Sequence, residues 1–105
     1  MCKCEQPPFH YKDFETVYLG EDDNFASVTI DRCRLCGQKW LKYLVEEEYY
    51  TKSGRWWRVP VGPDKVETLT ANNAKAFIAS SKWCFGGGSF YDGKIHLTEA
   101  PIRVF

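Results

Sequence analysis

The sequence predicts an α+β fold, a mainly antiparallel β-sheet carrying one helix. Three observations lead there. Several segments alternate apolar and polar residues with the period of two that marks a half-buried strand. Only Ala71 to Ser81 combines helical spacing with a preceding residue suited to capping, Thr70. And 105 residues, 44% hydrophobic and 27% charged, are expected to make one globular domain over 1–105, with no room for a second core.

The N-terminal arm, Met1 to Lys12, contains Pro7-Pro8 and is expected to be irregular. Phe14 to Leu19 is apolar and β-branched enough for a strand, and Gly20 to Asn24 is a turn by composition. Phe25 to Arg32 alternates cleanly, with Ala26, Val28 and Ile30 on one face and Ser27, Thr29 and Asp31 on the other. Trp40 to Tyr50 fits a helical stripe nearly as well as a strand face. The strand is preferred because Glu46, Glu47 and Glu48 would oppose the dipole at a helix C-terminus. Thr51 to Arg55 also resembles a hairpin loop, leading to a strand with Trp57, Val59 and Val61 on one face. Lys65 to Leu69 is expected to be an extended link. In the helix, Ala74, Phe77, Ile78 and Ser81 form the buried stripe. Gly86 to Gly88 lets the chain cross closely over the sheet. Ser89 to Tyr91, Lys94 to Thr98 and Ile102 to Phe105 are short strand candidates.

Five cysteines are the strongest chemical signal. Cys33-x-x-Cys36-Gly37 sets two thiolates two residues apart, and the following Gly permits the positive φ of a tight metal-binding turn. Cys2-x-Cys4 offers a second pair. Together Cys2, Cys4, Cys33 and Cys36 would close a tetrahedral thiolate site with a Zn²⁺ ion, tying the arm to the turn after the second strand. Iron suits the same ligands. His10 is a substitute ligand should Cys2 be frayed. Cys84, in Trp83-Cys84-Phe85, is expected to be a buried small hydrophobe. A redox role for Cys33 and Cys36 is the alternative, weakened because no helix opens after the motif. The odd cysteine count suits a disulfide framework poorly.

At Cys33 to Gly37 the chain resembles a zinc-ribbon knuckle of the rubredoxin-like type. The first pair departs from that pattern, being C-x-C rather than C-x-x-C. The order of Cys33–Gly37, Trp40–Tyr43, Ser53–Trp57 and Trp83–Phe90 also resembles small bacterial polymorphic-toxin immunity proteins. This second resemblance implies a stoichiometric inhibitor that binds a partner protein, a toxin, and has no catalytic role.

Other function classes are disfavoured. Fourteen basic and 14 acidic residues leave no surplus for a nucleic-acid or anionic-membrane surface, so a nucleic-acid-binding zinc ribbon is the lesser alternative. The N-terminus lacks the apolar core of a signal peptide and no segment is long and apolar enough for a membrane span, which suggests the cytoplasm. Gly88 to Lys94 matches G-x-x-x-x-G-K, but Ile95 stands where a Mg²⁺-binding hydroxyl is required. No nucleophile–base arrangement stands out, so a non-enzymatic protein-binding module is expected. Its partner face is assigned to Trp56 and Arg58, with Glu46, Glu47 and Glu48 as a negative patch. Adjacent Trp56 and Trp57 must point to opposite sides of a strand. Trp56 is therefore either covered by another element or left beside an Arg as a binding hot spot.

Overall fold

A computed structural model of the chain describes residues 3–5, 9, 11–23, 25–45, 54–81, 83–87 and 95–98. Among these residues six strands form one sheet in strict sequence order, each antiparallel to the next: β1 (Phe14–Glu21), β2 (Ser27–Cys33), β3 (Lys39–Val45), β4 (Arg55–Val61), β5 (Cys84–Gly87) and β6 (His96–Thr98). Two short helices, α1 (Pro63–Val66) and α2 (Ala74–Ser80), interrupt the meander between β4 and β5. No helix among the described residues is long and apolar enough to cross a membrane.

The alternation in the sequence builds the first face. Val28 and Ile30 of β2, Leu41, Tyr43 and Val45 of β3, and Trp57, Val59 and Val61 of β4 are all buried in one cluster. Ala74 and Ile78 of α2, with Leu69 and Cys84, close it. The strand assignment for Trp40 onward is borne out over β3. Its pairing partner is β4, with Tyr43 opposite Trp57.

The helical region differs from expectation in two ways. The helix starts at Ala74 rather than Ala71, because 71–73 form a turn. There Thr70 N–H donates to Asn73 Oδ1 at 2.8 Å and Asn73 N–H to Thr70 Oγ1 at 3.3 Å. The expected extended link instead begins with α1, a single turn with Pro63 at its start, where the missing N–H of proline is harmless. Downstream, β5 occupies Cys84–Gly87, so Gly86 and Gly87 belong to a strand instead of merely crossing the sheet. β6 lies within the expected Lys94–Thr98 strand. The Ser89–Tyr91 and Ile102–Phe105 candidates, the Gly88–Lys94 motif and the hairpin residues Thr51 to Ser53 lie outside the described residues.

The second face of the sheet is also covered, at one end. Phe14, Cys33, Trp40 and Cys4 form a buried cluster there, with Phe9, Trp83 and Phe85 packed against it. Phe9 meets Phe85 edge-on at 5.1 Å between ring centroids, and Trp83 meets Phe85 at 5.5 Å. Cys4 and Phe9 of the N-terminal arm thus cover this end of the sheet, with Cys4 at the end of β2. β1 is an edge strand, with a register shift between Tyr18 and Gly20 and φ +120° at Gly20.

Candidate metal centre

Cys33 ends β2, and 34–36 form the turn that returns the chain to β3. The turn is held by Cys33 N–H donating to Gln38 O (2.8 Å) and Gly37 N–H donating to Cys33 O (2.9 Å). Gly37 has φ +80°, the left-handed conformation expected after the second cysteine. Gln38 Nε2 donates to Lys39 O (2.8 Å) and Val61 O (3.1 Å), fastening the turn to β4. From the other side, Arg34 N–H donates to Asp13 O (2.9 Å), which ties it to the chain entering β1. Cys4 arrives from the 3₁₀ turn Lys3–Glu5.

The sulfur atoms of Cys4, Cys33 and Cys36 all lie within 4.8 Å of one another. Cys4 Sγ and Cys36 Sγ are 3.6 Å apart. Four sulfurs at the usual zinc distance of about 2.3 Å in a tetrahedron stand roughly 3.8 Å apart, whereas a disulfide requires about 2.05 Å. The Cys4–Cys36 distance is close to the first value and far from the second. Three nearby cysteines in this arrangement can bind a metal. Cys4 and Cys33 are buried, and Cys36 is exposed beside an open groove of about 360 Å³ lined by Gly37, Gln38, Lys39, Val61 and Pro63. A metal has an entry path on that side. Of the four expected ligands, three come together. Cys2 and the substitute His10 lie outside the described residues. Cys84 is on the opposite face of the sheet, in the main core, where burial pushes its thiol up to about 11.

Within the expected partner face, Arg58 is not at the surface. Arg58 is 4% exposed and its Nη2 lies 3.5 Å from Asp31 Oδ2. Its guanidinium stands 4.5 Å from the ring centroids of both Phe9 and Phe14 and 5.5 Å from that of Trp40. Assignment of Arg58 to an exposed face is therefore corrected: the arm buries it. Trp56 is half-buried. Its indole lies directly over Gly87 and edge-on to Phe9 at 6.0 Å. Glu46, Glu47 and Glu48 lie outside the described residues.

Sequence reasoning missed a polar group between these elements. Asp31, expected on the solvent side of β2, is 5% exposed. Its Oδ1 accepts from Thr16 Oγ1 and Thr29 Oγ1, each at 3.1 Å. Lys42 of β3 lies directly opposite Arg58 of β4. Burial lowers the Lys42 pKa, partly opposed by Asp31 and reinforced by Arg58. Burial also lowers that of Arg58, with Asp31 and then Cys4 opposing it. Opposite charges at alternate positions of neighbouring strands were the available signal, but only with the strand register in hand.

No family model matches this chain, and no curated protein or solved structure is significantly similar to it.

Proposed function

We propose that this chain is a zinc-stabilised, non-enzymatic protein-interaction module that acts as an immunity-type inhibitor of a partner protein. The observation that carries the metal half is the cluster of Cys4, Cys33 and Cys36 sulfurs within 4.8 Å. An all-thiolate set in a small domain favours zinc as a structural ion, with Cys2, two residues from Cys4, as the fourth ligand. A closed site of this kind leaves no position for substrate, so the ion's work is to hold the arm against the sheet.

The interaction half is supported by large apolar side chains left in solvent. Phe25 is 80% exposed and Leu35, within the cysteine turn, 70%. Val17 and Tyr18 are exposed on the edge strand β1. These residues replace Arg58 as the proposed contact surface, and the resemblance to immunity proteins gives the partner class as a toxin.

Native mass spectrometry with elemental analysis tests the metal. About one zinc per chain is expected, lost in Cys36→Ser. A folded chain that takes up no metal overturns the proposal, and a stoichiometric iron content reassigns the ion. For the partner, Leu35→Glu is expected to abolish co-purification with a co-expressed toxin while leaving zinc content unchanged.

A further inference from the structure

Among the described residues, the second face of the sheet is closed at the cysteine end and open beyond Arg58. There a cleft of about 310 Å³ lies over the middle strands, with Phe9, Phe14 and Leu44 as its apolar lining. Its polar lining is Thr16, Ser27, Thr29, Asp31, Lys42 and Arg58.

The charges of this cleft are unbalanced. Lys42 and Arg58 are cross-strand neighbours on one face, an arrangement that destabilises a sheet unless an anion lies between. Among the described residues, Asp31 is the only carboxylate lining the cleft. One of its oxygens is taken up by two threonine hydroxyls and the other reaches Arg58 only at 3.5 Å. Lys42 forms no ion pair among the described residues, its ammonium lying 5.9 Å from the Trp56 ring. Buried Arg58 Nε has no hydrogen-bond partner among the described residues either. Two cations against one carboxylate leave a single positive charge, with donors to spare and apolar walls beside them.

We propose that this cleft binds a small organic monocarboxylate, its carboxylate between Lys42 and Arg58 and its apolar body against Phe9, Phe14 and Leu44. A monoanion balances the site. A dianion would overfill it and repel Asp31, so phosphate is the disfavoured class. The volume falls at the low end of small-molecule sites, suiting a ligand of one ring and a short chain. Carboxylate oxygens would accept charge-assisted hydrogen bonds from both cations. The proposal does not rest on the partner reading; it shares with the metal centre only the arm that carries both Cys4 and Phe9.

The test is an NMR titration of the full chain with 4-phenylbutyrate, with the neutral 4-phenylbutyramide and inorganic phosphate in parallel. The acid is expected to bind saturably and shift the amides of Thr16, Thr29, Lys42 and Leu44. The amide and phosphate are expected to bind at least about tenfold more weakly. Lys42→Met removes one cation without removing a structural ion pair. It is expected to unfold no earlier than the native chain and to bind the acid about tenfold less tightly or worse. Equal affinity for acid and amide, shifts confined to other residues, absence of saturation, or unchanged binding by Lys42→Met would each overturn the proposal. Tighter binding of phosphate would overturn the assignment of ligand class.

Discussion

Replacing Arg58 by Met tests whether the second face is organised around a buried charge. Removing one partner of a buried ion pair costs about 3–5 kcal/mol, because the other charge is left uncompensated. Three features reduce that figure. Asp31 keeps its hydrogen bonds from Thr16 and Thr29 at 3.1 Å, and the lost contact to Arg58 is single and long at 3.5 Å. Arg58 Nε is also buried without an acceptor, a penalty of about 1–3 kcal/mol that Met removes. Met sulfur can occupy the space between Phe9 and Phe14 favourably. The expected net loss is about 2–3 kcal/mol, or a melting midpoint lower by roughly 10 °C or more. Asp31→Asn should be worse, since it leaves Lys42 and Arg58 opposed with no carboxylate among the described residues lining the cleft. The double variant, with neither charge, should return to within about 1 kcal/mol of the native chain. Urea unfolding at constant slope measures all three. If Arg58→Met falls within about 0.5 kcal/mol of the native chain, or the two losses simply add, the pair is not coupled and the reasoning fails.

Three further outcomes are expected. A Cβ at Gly87 would lie 2.7 Å from Trp56 Cζ2 and 3.0 Å from Cε2, so Gly87→Ala should destabilise by about 1–3 kcal/mol, relieved by adding Trp56→Leu; thermal melts of both variants check it. Cys36 is exposed and Cys84 buried, so packing alone makes Cys84→Ser the costlier change; zinc ligation reverses that order, as chemical denaturation would reveal. The Cys84 thiol is raised in the fold, so the unfolded chain binds fewer protons between about pH 9 and 11 and stability falls as pH rises through that window. The loss is at most about 2–3 kcal/mol, and subtracting the pH profile of Cys84→Ala isolates it.

The first face was legible in the sequence because period-two alternation in β2, β3 and β4 reports directly on a packed side. The cysteine turn was legible because ligand spacing and Gly37 are local signals. The second face was not. What covers it is an arm without periodicity, so nothing in 27–33 distinguishes a polar side that faces water from one that faces Arg58. For the same reason Arg58 was expected outside and is inside. α1 escaped notice because one turn with no buried residue leaves no stripe, although Pro63 after Gly62 was a usable start signal. β5 escaped because glycine is a poor strand former. Its reason for being glycine is the indole of Trp56, a contact invisible before β4 and β5 are paired.

The meander order of the sheet has a consequence for how the chain reaches this structure. Every strand pairs with its neighbours in sequence, so β1 to β4 can zip together through successive hairpins with small loop-closure entropy. The contact of Cys4 with Cys33 and Cys36 has no such shortcut, since the chain between must first be folded into β1 and β2. A metal bound there acts late, as a latch on an assembled sheet. Its loss should speed unfolding far more than it slows folding. Stopped-flow chevrons with and without a chelator would therefore share a folding limb and separate on the unfolding limb.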